Sequence, residues 1–174
     1  VQKIFARKDF ELINAYPQET HGGSMRYILA RKGMHAVHQN VSDLLKEEEL
    51  EGLTSTSTYI TFKENCESYK ENLLSLLEEL KASGKTIAGY AATSKSTTII
   101  NYCGITNLHL DCIYDTTPIK QNKFSPGAHI PIKPHSEFNS NYPDYALLFG
   151  YNHSKEIFAK EQEFEAQGGK WIVY

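Results

Sequence analysis

Between Ile87 and Gly104 the chain reads IAGYAATSKSTTIINYCG, and this stretch constrains the fold more than any other. It opens with an apolar run too short for a helix, passes through small residues, and continues with the three-and-four spacing of a helix. A second apolar run, LHLDCIYD, follows and ends at Asp115. Strand, helix, strand within about thirty residues is the pattern of a parallel crossover unit. The alternation continues: a short strand over His129–Ile132, a strand over Tyr145–Gly150, a helix over Lys155–Gln167 halted at Gly168-Gly169, and a last strand over Lys170–Val173. Strands alternating with helices define an α/β fold, here a Rossmann-like parallel sheet with helices on both faces.

The same stretch carries the strongest chemical signal. Gly89, Ala91 and Ala92 are small enough to let backbone approach a ligand. Ser94, Lys95, Ser96 and Thr97 then stand at a helix start, where free N–H groups and the positive end of the helix dipole attract phosphate. A lysine in that first turn opposes the dipole, so an anion beside it would compensate. Asp115 stands where a mononucleotide-binding unit places its ribose acid. The residues also suit a plain reading, a strand–turn–helix unit capped by Ser94 with a turn-forming Asp before Thr116-Thr117-Pro118. The stretch is neither a Walker A loop nor a clean GxGxxG.

Before this region the chain is less regular. Val1–Arg7 reads as a helix end. Phe10–Ala15 and Met25–Arg31 read as two antiparallel strands joined by the turn-rich Tyr16–Ser24. Ser42 caps a short helix over Asp43–Glu51, ended by Gly52. A long helix over Thr61–Ser83 places Phe62, Cys66, Tyr69, Leu73, Leu76, Leu77 and Leu80 on one stripe, expected to be buried.

With 174 residues, 40% of them hydrophobic, the chain can bury a sizeable core. A net charge of −3 and a pI near 6.2 give no nucleic-acid footprint. No apolar run reaches membrane-spanning length, and no signal-peptide pattern opens the chain. Cys66, Cys103 and Cys112 are odd in number and form no CxxC. They read as small apolar residues in a reducing compartment, and the expected location is cytoplasmic.

Several short motifs occur in one order: His21-Gly22-Gly23-Ser24-Met25-Arg26, Gly89-Tyr-Ala-Ala-Thr-Ser-Lys95, Asn101-Tyr-Cys-Gly-Ile105 and Pro126-Gly-Ala-His-Ile-Pro-Ile132. Pro143-Asp144-Tyr145 and Gly168-Gly169-Lys170 complete the series. Together they resemble the C-terminal domain of the S-adenosylmethionine-dependent nucleotide-sugar C-methyltransferases, which build branched deoxysugars. The resemblance implies a parent with an N-terminal zinc module, a methyltransferase core and a Rossmann-like C-terminal domain. Residues 1–34 would then be the terminal strand pair of the core, and residues 35–174 the C-terminal domain. The family's catalytic Tyr-x-Glu-His motif and cofactor loop are not in this stretch, so no catalytic residue, S-adenosylmethionine site or zinc site is assigned here. The family tends to carry Gly where this chain has Ala91 and Ser96; a methyl at Ala91 suits a backbone with ordinary negative φ.

The resemblance implies methyl transfer to a sugar carbon of a nucleotide-diphosphate sugar, which this stretch helps to bind while closing the cleft. The candidate substrate-binding residues are Lys95, Ser94, Ser96, Thr97, Asp115, His21 and Phe124, the last expected to stack on the base near Lys120 and Lys123. The implied partners are the nucleotide sugar and the N-terminal modules. Strand edges in the first 34 residues also favour self-association. A non-catalytic nucleotide- or dinucleotide-binding or regulatory module remains the alternative, with a dimerisation domain built on the long helix as a third reading.

Overall fold

The computed structural model describes the backbone of residues 1–174 and every side chain except that of His21. The chain divides into two compact units, Val1–Lys63 and Glu64–Tyr174.

In the first unit, helix α1 (Gln2–Ala6) leads into an antiparallel ribbon, β1 (Phe10–Gln18) and β2 (Ser24–Arg31). The ribbon runs further than its apolar core suggests. Tyr16, Pro17 and Gln18 still pair with Arg26, Met25 and Ser24, so the connection shrinks to Glu19–Gly23. Pro17 is tolerated because a strand in a two-stranded ribbon has a free edge. Helix α2 (Gln39–Leu50) begins four residues before the expected start, and Ser42 is not its cap: its hydroxyl donates to the Gln39 carbonyl at 2.8 Å. Asn40 ties α2 to the ribbon, its amide donating to the Ala15 carbonyl at 2.7 Å and to Asn14 Oδ1 at 2.6 Å. Gly52, with φ 68°, ends the segment as expected.

Helix α3 (Thr56–Ala82) starts earlier than the stripe indicates, and only part of that stripe is covered. Leu73 and Leu77 are buried, whereas Phe62 is 66% and Tyr69 69% exposed.

The second unit holds a six-stranded sheet. β3 (Ile87–Tyr90) is followed by α4 (Ser94–Cys103) and β4 (Ile113–Asp115). Then come β5 (Lys123–Phe124), β6 (Pro131–Pro134), α5 (His135–Ser140) and β7 (Tyr145–Leu148). Helices α6 (Ser154–Lys160) and α7 (Gln162–Ala166) lead to β8 (Lys170–Ile172). The spatial order is β5-β6-β4-β3-β7-β8, parallel throughout except for β5. Alternate strand residues enter two cores. Ile87, Ile113, Leu147 and Ile172 pack with Leu73 and Leu77 of α3 and Ile100 and Cys103 of α4. Ala88, Tyr90, Tyr114 and Leu148 pack with Phe138 of α5 and Phe164 of α7 on the other face. Helices cover both faces, which is why β3 is buried at all four positions.

Four details depart from the sequence expectation. Residues 106–111 form a turn rather than the first half of β4, because Asp111 turns back to accept the Ile87 N–H at 3.2 Å and Lys81 Nζ at 2.7 Å. The short strand lies at Pro131–Pro134, two residues later than expected, and β5 adds an antiparallel edge. Helix α5 interrupts what reads as a loop. Finally, the expected helix over 155–167 breaks at Glu161, whose side chain is drawn into the second core.

Candidate functional site

From β3 the chain passes through α4 to β4 on one side of it. Later the chain returns past both strands to β7 on the other side. The strand order therefore reverses at β3/β7, and ligands of open α/β sheets lie outside the carboxyl end of such a switch point. Two loops meet that position: Ala91–Thr93 after β3, and Phe149–His153 after β7.

The first loop is fixed from several directions. The Ala91 N–H donates to the Tyr114 carbonyl at 2.8 Å, the Ala92 N–H to Asp115 Oδ2 at 2.7 Å, and the Thr93 N–H to the Ala91 carbonyl at 2.9 Å. Ala91 adopts φ 73°, in the left-handed region. The backbone at Ala91 is thus not the ordinary negative-φ kind that its methyl suits. The bonds on either side over-determine a conformation that a methyl group disfavours. Gly89 serves packing rather than ligand approach. It lies inside β3, and a Cβ there would stand 2.7 Å from Phe149 Cε2.

Thr93, not Ser94, caps α4. Its hydroxyl accepts the Ser96 N–H at 3.1 Å while the Ser96 hydroxyl donates to the Thr93 carbonyl at 2.6 Å. This reciprocal pair turns Ser96 inward at 2% exposure, so Ser96 shapes the helix start and does not face an outside ligand. The Thr97 N–H goes to the Thr93 carbonyl at 3.4 Å. The orphan amides of the first turn that remain outward are those of Ser94 and Lys95. Lys95 Nζ lies 4.9 Å from the centroid of the Tyr151 ring, so the ammonium rests on the loop after β7 through a cation–π contact. Lys95, on the same first turn as Ser94 and Thr97, thereby lies beside Tyr151. Gly104, with φ 74°, closes α4.

Asp115 is placed at the strand end where the sequence puts it, but it faces inward. At 5% exposure it accepts Ala92 N–H through Oδ2 and Thr117 N–H through Oδ1 at 2.7 Å, with Lys120 Nζ 3.5 Å away. It holds the β3 loop rather than reaching out as a ribose acceptor must. Phe124 is separated from Lys95. It pairs with Pro131 at the start of β6, and its neighbour Pro126 takes a bond from Asn101 at 3.0 Å. Asn101 lies six residues beyond Lys95, about 9 Å along α4. Phe124 is 64% exposed and, with Ser125, Pro126 and His129, lines a surface concavity of about 460 Å³ at the amino end of the parallel strands. The side chain of His21 lies outside the described residues.

One polar cluster has no signature in the sequence. Glu161 Oε1 accepts the Tyr90 hydroxyl at 2.7 Å, His135 Nε2 at 2.7 Å and Lys160 Nζ at 3.1 Å. Burial opposes the charged form of Glu161, yet the bonds from Tyr90, Lys160 and His135 hold its carboxyl below the usual value. Burial, and then Glu161, raise the Tyr90 hydroxyl far above its ordinary range. His135 and Tyr90 are 26 and 71 positions from Glu161, beyond the reach of any local pattern.

Among the described residues no group of three His, Cys, Asp or Glu side chains is arranged to hold a metal, and no helix is long and apolar enough to cross a membrane. All three cysteines are free.

The fold and strand order define a Rossmann-like α/β domain whose order reverses at β3/β7. Comparison with known proteins gives the family: residues 19–174 match the C-methyltransferase C-terminal domain, and the chain belongs to it. The C-methyltransferase NovU of Streptomyces niveus is 32% identical over 171 residues, covering 98% of this chain and 41% of that protein. The chain thus spans about two fifths of the length of the curated relative it matches.

Proposed function

We propose that this chain is the C-terminal part of an S-adenosylmethionine-dependent C-methyltransferase acting on a nucleotide-linked keto-deoxysugar, and that it helps to bind the nucleotide sugar. The observation that carries this reading is the turn Ala91–Thr97 at the switch point, which holds the first-turn amides of Ser94 and Lys95 and the Lys95 ammonium. A diphosphate is the ligand that such amides and a lysine suit best. Asp115 acts on the ligand indirectly, by holding the turn. Ser94 and Thr97 contribute hydroxyls. His21 belongs to the wider surface of the parent cleft, whereas Phe124, at the amino end of the strands, lies away from the diphosphate turn.

S-adenosylmethionine would supply the methyl group from the parent's core, and structural zinc would belong to its N-terminal module. In that parent, residues 1–34 close the core and residues 35–174 form the C-terminal domain, in the cytoplasm.

The test is a titration of the chain with thymidine diphosphate and uridine diphosphate, followed by amide NMR. The reading predicts saturable shifts concentrated at Ala91–Thr97 and Tyr151, with inorganic phosphate weaker. Shifts absent from this turn at millimolar nucleotide would reject it.

A further inference from the structure

Tyr151 stands where the two switch-point loops meet. Gly150 lets those loops touch: a Cβ on it would lie 3.4 Å from the Ala91 Cβ and 3.1 Å from Ile157 Cδ1. A relay of edge contacts sets the orientation of the Tyr151 ring. It meets Tyr174 edge to face at 5.9 Å, and Tyr174 meets Phe149, which is fully buried, in the same way at 6.4 Å. Over the ring lies the Lys95 ammonium, 4.9 Å from the centroid. No carboxylate pairs with Lys95 among the described residues, so the ring is what seats it.

A phosphate and this ring compete for one ammonium. A cation–π contact at such a site favours the seated lysine by a factor of about 2 to 5. A charge-assisted bond to phosphate favours the displaced lysine by a factor of about 10 to 100. Phosphate therefore draws the ammonium away and uncovers the face of the ring.

We infer that Tyr151 is the platform on which the base of the nucleotide stacks, and that Lys95 covers it until a diphosphate occupies the turn. This role rests on the diphosphate site proposed above and names the residue that receives the next part of the same ligand. A base offers a flat π-face, which an aromatic ring accepts whatever its hydrogen-bonding edge. A ring already fixed by Tyr174 loses little freedom when the base arrives.

NMR titration of the 174-residue chain and of Tyr151→Ala, each with thymidine diphosphate and with inorganic pyrophosphate, tests this. Both ligands draw Lys95 off the ring, so that cost cancels in the ratio of their affinities, while thymidine diphosphate alone carries a base. In Tyr151→Ala the ratio of thymidine diphosphate to pyrophosphate affinity should fall about 5- to 100-fold, the worth of one base stacked on an aromatic ring. Pyrophosphate should bind that variant as well as the native chain, or up to about fivefold tighter, because no ring retains the lysine. Tyr151→Phe should restore the native ratio. In the saturated native complex the thymine methyl should shift upfield and show nuclear Overhauser contacts to the Tyr151 ring. An unchanged ratio in Tyr151→Ala overturns the inference, including the case in which both ligands weaken alike. Absence of the ring contacts in the saturated native complex overturns it as well, without relying on any variant to fold. A native chain that binds neither ligand at Ala91–Thr97 rejects the diphosphate site itself, and this role with it.

Discussion

The Asp115 carboxylate accepts the Ala92 N–H at 2.7 Å, and this bond joins the end of β4 to the turn that follows β3. The acid that the sequence offers as a ligand contact is the acid that shapes the loop. Asp115→Asn keeps the volume but sets an amide group against two N–H donors. The expected loss is about 1.5–3 kcal/mol of stability, the range for a buried hydrogen bond to a charged group. Urea unfolding measures it, and hydrogen exchange should show Ala92 and Thr117 among the amides that lose most protection.

Ala91 supplies a test of opposite sign. A left-handed conformation costs an L-residue about 1–2 kcal/mol. The freedom glycine adds to the unfolded chain takes back about 0.4–1 kcal/mol. Ala91→Gly should therefore stabilise the domain by up to about 1.6 kcal/mol. Ala91→Val should destabilise it, because a β-branched side chain fits that conformation worse. Thermal unfolding of the pair gives the two signs.

Gly89 should tolerate no side chain. A Cβ would meet Phe149 Cε2 at 2.7 Å and Ile113 Cγ1 at 3.1 Å, so Gly89→Ala overpacks the sheet. The expected cost is about 1–3 kcal/mol by urea unfolding.

These three residues show what the sequence carries and what it does not. The alternation after Ile87 is a local property, so the α/β class, the β3–α4–β4 unit and the cap at Gly104 are legible. The contents of the loop depend on distant partners. Ala91 takes its φ from bonds to β4, Gly89 is small because of Phe149 just after β7, and Ser96 is buried by its exchange with Thr93. Glu161 reads as one more charge on an amphipathic helix, yet bonds to Tyr90 and His135 draw it inward and break that helix. Lys95 is legible as an unusual lysine, but its seat on Tyr151 joins loops separated by more than fifty residues.

Acid should weaken the second unit through Asp144. The Thr86 N–H, the Thr86 hydroxyl and Lys85 hold its carboxyl at about 2, against an ordinary 3.8. A depressed carboxyl contributes stability in full above its unfolded value. That contribution is lost as pH falls from roughly 4 to 2. Asp144→Asn should remove this part of the acid dependence while leaving the profile above pH 5 flat relative to the parent. Urea midpoints across the pH series check it.

The central claim is that the turn Ala91–Thr97 receives the diphosphate of a nucleotide and that Lys95 supplies most of its charge. Its most direct test compares thymidine diphosphate binding to the native chain and to Lys95→Ala by amide NMR titration. A charge-assisted phosphate contact is worth about 1.5–3 kcal/mol, so the variant should bind roughly 10- to 100-fold more weakly. Its unfolding midpoint should hold or rise slightly, because the lysine opposes the helix dipole. Equal affinity in the two proteins, with the Ala91–Thr97 amides shifting alike, would contradict the claim.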